Sequence, residues 1–88
     1  MRLTIITPDK EIFNGKVKSV KVPGTSGQFE ILNNHAPIVS SLQKGEVRVV
    51  TDKGEKQVFA IEQGFVEVLR NEVSVLVSQV SVSKEETN

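Results

Sequence analysis

The sequence lacks several residue types and patterns, and each absence excludes a class of protein. It contains no cysteine, which excludes a disulfide framework and a thiolate metal site and fits a reducing compartment. No apolar run approaches the roughly 20 residues needed to cross a bilayer, and the start of the chain lacks the features of a signal peptide or a transit segment. We therefore expect the protein to stay in the compartment where it is made.

The chain also lacks an excess of charge of either sign. Its 11 basic side chains are balanced by 11 acidic ones, and no cluster of Lys and Arg forms a stripe that could neutralise successive phosphates. The charge distribution therefore indicates that neither nucleic acid nor an anionic lipid surface is a direct partner.

Few residues are suited to catalysis. A catalytic centre needs a nucleophile beside a base, paired carboxylates in a cleft, or a metal cluster, whereas this chain has one histidine, His35, and acidic residues scattered along it. We expect no enzyme activity, no cofactor and no metal site. His35 itself can be read as a general base or as a corner residue whose ring bonds to nearby backbone, and the second reading is favoured.

What the chain does have is valine and isoleucine recurring with a period of two, the spacing at which side chains alternate between the faces of a sheet. Val73, Val75 and Val77 show this alternation, and Val58–Ile61, apolar in both alternating sets, predicts a strand buried on both sides. No stretch of useful length has the helical period. The pattern predicts an all-β fold.

Frequent turn signals divide the chain into short strands. They are Pro8-Asp9, Asn14-Gly15, Pro23-Gly24, Asn33-Asn34, Lys44-Gly45, Asp52-Lys53-Gly54 and Arg70-Asn71-Glu72. The clearest hairpin joins Val47–Thr51 to Lys56–Ala60, with Gly54 available for a left-handed position. Short strands at close spacing favour a small flattened sandwich or barrel of mostly antiparallel strands.

With 88 residues the chain forms one domain. We place this β-sandwich domain at residues 1–82. Residues 83–88 form a polar tail with no apolar residue to dock, and we expect this tail to fray.

The turn Gly24–Gly27 has two readings, a phosphate cradle or a projecting turn. A cradle needs a helix N-terminus behind it, and here a strand pattern follows, which favours the turn. If Phe29 and Ile31 point inward, Gln28 and Glu30 alternate outward and could meet a polar loop of a partner. For Phe29 and Phe65 core packing is the simplest role.

Three stretches carry a resemblance to a known family. The longest is Val22–Pro37, in which a Gly-x-x-Gly turn, a short strand and an Asn-His-Ala-Pro corner follow one another; the others are Thr7–Gly15 and Gly64–Val68. Together they resemble the epsilon subunit of rotary ATP synthases over nearly the whole chain. Glu30 stands where family members commonly carry glycine, and Asn33 stands where a proline often precedes the corner.

The resemblance implies a non-catalytic rotor subunit of the central stalk, which couples the gamma subunit to the membrane c ring and meets the catalytic alpha/beta head indirectly. It implies a position on the cytoplasmic face of the bacterial membrane, reached through protein partners only. Residue by residue, it implies c-ring contacts by Thr25, Ser26, Gln28 and Phe29. It implies gamma contacts by Thr7, His35, Ile38 and Ser40.

Many epsilon subunits continue past the sandwich into a helical hairpin that restrains ATP hydrolysis. The present sequence stops where that hairpin would begin, so the resemblance implies a short form without a helical domain if the sequence is complete.

Two alternatives from other classes remain open. One is a free-standing sandwich adaptor for an unrelated protein. The other is a lipoyl or biotinyl carrier domain modified on Lys53, which lies in a tight turn between two predicted strands. The carrier reading leaves the Asn-His-Ala-Pro corner unexplained.

Overall fold

The computed structural model describes residues 1–83, and the surroundings of the side chains up to residue 81. Nine strands and no helix lie in the described range, which confirms the all-β prediction. The strands are β1 (Arg2–Ile6), β2 (Glu11–Gly24), β3 (Gly27–Leu32), β4 (Ile38–Leu42), β5 (Gly45–Thr51), β6 (Lys56–Ile61), β7 (Gly64–Leu69), β8 (Glu72–Val77) and β9 (Val80–Ser83). Of the tail expected to fray, residues 83–88, Ser83 is the last residue of β9, whereas residues 84–88 lie outside the described range.

Strand β2, with 14 residues, organises the fold because it belongs to two layers. Its first part pairs antiparallel with β1, and its second part pairs antiparallel with β5 and with β3. The register shifts between Val17 and Ser19, where the strand passes from one layer to the other. We call β1, β8, β7 and β4 the first layer, and β3, β5, β6 and β9 the second layer. The sheet therefore folds over on itself into a sandwich.

The first layer closes into a ring with β2. Its strands follow the order β1, β8, β7, β4, and both end strands pair with β2, β4 through the single pair Gly24 and Leu42. The β1–β8 pairing is parallel, whereas all the other pairings are antiparallel. The prediction of a small, mostly antiparallel sandwich is confirmed.

A single apolar core fills the space between the layers. The alternation predicted from the sequence places Val73, Val75 and Val77 of β8 inside, together with Ile31 and Phe59 from the second layer. The Phe59 ring also meets the Phe13 ring edge to face, with centroids 5.7 Å apart. Among the described side chains no polar or charged one is buried. The interior is therefore held by apolar packing and by the backbone ladder.

One turn prediction is wrong, and another is displaced by one residue. Asn14 and Gly15 lie inside β2, opposite Thr4 and Leu3 of β1, so pairing with a distant strand overrides the local turn preference. Pro23-Gly24 ends β2, and the turn follows one step later at Thr25-Ser26. The expectation that only short strands occur fails for β2 for the same reason.

The hairpin of β5 and β6 is confirmed. Val50 pairs with Lys56 across the turn, and Gly54 takes a φ of 86°, in the left-handed region that glycine adopts without steric cost. The predicted burial of Val58–Ile61 on both sides is also found, since Val58 and Phe59 are buried although they are neighbours.

Candidate functional site

The first candidate surface is the tip of the β2–β3 hairpin. Thr25, Ser26 and Gln28 are exposed there, and Phe29 is half-buried and packs against the core beneath them. Strand β3 follows at once and Gly27 has a φ of 131°, so the tip is a turn without a helix N-terminus behind it. The projecting-turn interpretation and the predicted alternation along β3 are confirmed.

Backbone and side-chain hydrogen bonds fix this tip to β4. The Thr25 N–H donates to the Ser41 carbonyl at 3.0 Å, and the Gln43 N–H donates to the Pro23 carbonyl at 2.9 Å. The Gln43 side chain adds a bond from Nε2 to the Gly24 carbonyl at 3.3 Å. The tip is therefore held by the first layer as well as by β2.

The second candidate surface is the outer face of the first layer. Val39 is 69% exposed, Leu69 48% and Phe65 47%, and the three lie on one face of the sheet. Phe65 lies opposite Leu76 of β8, which in turn lies opposite Ile6 of β1, and both of these are half-buried. We call Ile6, Val39, Phe65, Leu69 and Leu76, with the residues between them, the outer face.

An apolar groove of about 480 Å³ borders the outer face, between the β1–β2 turn and the facing ends of β7 and β8. The residues that line it include Ile6, Thr7, Pro8, Phe65 and Leu76. The Thr7 Oγ1 accepts hydrogen bonds from the Asp9 and Lys10 N–H groups, each at 3.3 Å, and so holds the β1–β2 turn beside the groove.

Of the predicted gamma contacts, only Thr7 lies beside this groove. His35 is in the β3–β4 loop, where its N–H donates to the Leu32 carbonyl at 3.1 Å and its Nδ1 lies 2.7 Å from the Ala36 carbonyl, as expected for a corner residue. That loop joins the start of β4, whereas Thr7 and the groove lie near the opposite end of β4, so the structure does not bring His35 and Thr7 together.

The register of β4 separates the other two predicted residues from the outer face. Ile38 and Ser40 lie opposite Val68 and Val66, both buried, and Ile38 packs against the core. Val39, between them, is the exposed residue. The proposed gamma contacts of Ile38 and Ser40 stay predictions.

Sequence reasoning missed the outer face. It assigned Phe65 to the core, which is wrong, because the alternation in β7 buries Val66 and Val68 and turns Phe65 and Leu69 outward. Apolar residues on both alternating sets of β7 were the signal that could have revealed a second apolar surface.

The described residues offer little for other chemistry. Within residues 1–83 no group of three or more His, Asp or Glu side chains is placed to hold a metal ion, and no helix is long and apolar enough to cross a membrane. Lys53 is exposed at the tip of the β5–β6 turn. The prominent features of the described residues are therefore an anchored hairpin tip and an apolar outer face, two candidate contact surfaces on a β-sandwich domain.

Comparison with known proteins agrees with this class. The family model of the ATP synthase delta/epsilon chain, β-sandwich domain, matches residues 1–82. The ATP synthase epsilon chain of Chlorobium limicola is 44% identical over 81 residues, which cover 91% of each chain. That of Protochlamydia amoebophila is 36% identical over 83 residues, 94% of this chain and 56% of the relative. The chain therefore belongs to the ATP synthase delta/epsilon family.

A solved structure supports the fold. A chain of the Euglena gracilis mitochondrial ATP synthase (OSCP/F1/c-ring) superposes with a TM-score of 0.83 at 23% identity, over 91% of this chain and 51% of that one. The chain thus spans about half the length of some relatives and about nine-tenths of others. The expectation of an epsilon-type subunit of a rotary ATP synthase, part of a membrane-associated complex, is confirmed.

Proposed function

We propose that this chain is a non-catalytic rotor subunit of the central stalk, which joins the gamma subunit to the c ring and turns with both. It would act on the cytoplasmic face of the bacterial membrane, held there by its protein partners, and meet the alpha/beta head only through gamma. The observation that carries the proposal is the apolar outer face on a domain of this family, because the fold itself leaves Val39, Phe65 and Leu69 uncovered.

The outer face is the surface assigned to gamma. Large apolar side chains clustered on one face mark protein contacts more often than isolated ones do, and permanent interfaces are more apolar than ordinary surface. Thr7 extends this surface at the groove, while His35 would contact gamma from the loop at the other end of β4. Ile38 and Ser40 face away from Val39, so their proposed gamma contacts would lie outside the outer face.

The β2–β3 tip is the surface assigned to the c ring. Thr25, Ser26 and Gln28 project from it with polar side chains suited to hydrogen bonding with a polar loop, and Phe29 supports them from below. The hydrogen bonds that join the tip to Ser41 and Gln43 connect the two surfaces through β4. A rigid connection of this kind suits a part that transmits torque.

The substitution Val39→Asp tests the gamma assignment. Because the side chain is 69% exposed but lies opposite Glu67, we expect a small decrease in the melting temperature from repulsion between the two carboxylates. We expect a loss of gamma affinity of about tenfold or more, since the interface would have to desolvate a second carboxylate beside Glu67. Leu32→Asp is the matched control, because Leu32 is 52% exposed on β3 in the second layer. Affinity for purified gamma is measured by calorimetry or surface plasmon resonance.

Unchanged gamma affinity in a folded Val39→Asp variant would refute the placement of gamma on the outer face. Failure of the unsubstituted chain to bind gamma at all would refute the rotor proposal and favour the adaptor. A lipoyl or biotinyl mass on Lys53 in protein isolated from its own cells would instead establish the carrier alternative.

A further inference from the structure

A carboxylate lies in the middle of the apolar outer face. Glu67 of β7 is exposed, and its neighbours along the strand on the same face are Phe65 and Leu69. Across the sheet it faces Val39 of β4 on one side and Ser74 of β8 on the other. The side chains directly beside and opposite Glu67 are thus apolar or neutral, and Arg70 and Glu72 line the same hollow as Glu67.

Within residues 1–83 no cation forms an ion pair with this group. Among the described residues the one ion pair joins Arg48 to Glu46, in the second layer. The nearest charged position across β8 is Glu72, another carboxylate, and Arg70 lies in the adjoining turn without forming an ion pair with Glu67. In the free subunit the Glu67 carboxylate stays hydrated, so the absence of an ion-pair partner carries no free-energy penalty.

A partner that docks on the outer face would remove the Glu67 carboxylate from water. A partner that covers Val39, Phe65 and Leu69 also covers Glu67, because Glu67 lies between them. A carboxylate removed from water without a compensating charge or donors is strongly unfavourable, whereas one that meets a cation with good geometry is tolerated and makes the contact selective. The hollow that Glu67 shares with Arg70 and Glu72 holds two carboxylates and one cation, so one negative charge is left for the covering surface to neutralise.

We infer that the surface docking on the outer face presents a lysine or arginine side chain to Glu67, and that this pair fixes the register of the two subunits. The inference rests on the proposed binding of gamma by the outer face and adds the chemistry of the partner residue. An arginine suits the site well, since its planar guanidinium binds a carboxylate through two parallel bonds.

The test compares charge variants of the full chain in binding to purified gamma. Glu67→Gln keeps the shape and removes the charge, so it leaves the partner cation unpaired and should weaken binding about tenfold or more, mainly through faster dissociation. Glu67→Lys should weaken it further by like-charge repulsion. Glu55→Gln, at the exposed turn between β5 and β6, makes the same change in net charge and should stay within about twofold.

The outcomes separate this inference from the function on which it rests. If Val39→Asp weakens binding and Glu67→Gln does not, the outer face binds gamma, but the proposed lysine or arginine opposite Glu67 is refuted. If neither variant weakens binding, the outer face is not the gamma surface. Recovery of Glu67→Lys binding by an acidic residue in place of one gamma lysine or arginine would identify the partner residue and establish the pair.

Discussion

The side-chain Oδ1 of Asn71 accepts a hydrogen bond from the backbone N–H of Asn34 at 2.7 Å. Both asparagines have a φ of 64°, a left-handed conformation that asparagine tolerates better than most residues. The bond joins the β7–β8 turn to the β3–β4 loop, which are far apart in the sequence. The loop that carries His35 is therefore fixed to the end of the first layer.

Substitutions at Asn71 should separate the contribution of this hydrogen bond to stability from that of the left-handed backbone conformation. Asn71→Gly keeps the left-handed backbone but removes the hydrogen bond, and we expect a loss of about 1 kcal/mol in the free energy of unfolding. Asn71→Ala also forces alanine into the left-handed region, which adds about 1 kcal/mol or more. Urea unfolding measures both values. A glycine variant as stable as the original would show that the bond contributes nothing.

Gly64 is required by a close backbone approach. A Cβ at this position would collide with the Leu76 carbonyl oxygen and the Val77 Cα of β8, neither of which can move without disturbing the sheet. We expect Gly64→Ala to lower the free energy of unfolding by about 1 to 3 kcal/mol, measured by the same urea titration.

Gly15→Ala is the matched control for Gly64. Both glycines lie in strands, but a Cβ at position 15 would meet only the outer end of the Phe13 ring, at 3.3 Å. This variant should stay within about 0.5 kcal/mol of the original. Equal effects of the two substitutions would contradict the steric explanation.

Gln43 should control the mobility of the β2–β3 tip. Removal of its side chain in Gln43→Ala deletes the bond to the Gly24 carbonyl, so the local opening of the tip becomes easier by about 1 kcal/mol. Hydrogen exchange of the Thr25 amide, which donates to Ser41, should then accelerate about fivefold.

Exchange in the centre of β8 provides the internal reference, because β8 is paired on both sides and we expect its amides to open only with the whole domain. Gln28→Ala is the matched variant, an exposed glutamine of the same hairpin. If Gln28→Ala accelerates the Thr25 amide as much as Gln43→Ala does, the anchoring role of Gln43 is wrong.

Local patterns predicted those parts of the fold that depend on local chemistry. Alternation identified β8, and the turn residues around Gly54 identified the β5–β6 hairpin, because both features are encoded within a few residues. The Asn14-Gly15 position could not be predicted in the same way, since its conformation depends on pairing with β1. The parallel pairing of β1 with β8 is likewise a long-range choice with no local signal.

Of the two candidate surfaces, one could be predicted from the sequence and the other could not. Turn chemistry at Gly24–Gly27 predicted the projecting tip. The outer face escaped prediction because β4 and β7 are apolar on both sides, so the sequence does not say which side faces the core. A shift of one residue exchanges Ile38 for Val39 at the surface, and only the register of the assembled sheet decides between them.

The continuity of β2 has a mechanical consequence. A sideways load on Thr25 and Ser26 enters one unbroken strand that is bonded along its length to β1, β3 and β5. Such a load must shear many ladder bonds at once, whereas a tip carried by a separate short strand would peel away bond by bond. The domain should therefore rotate as one rigid body and store little elastic energy. Elastic deformation under torque should then occur mainly in its partners.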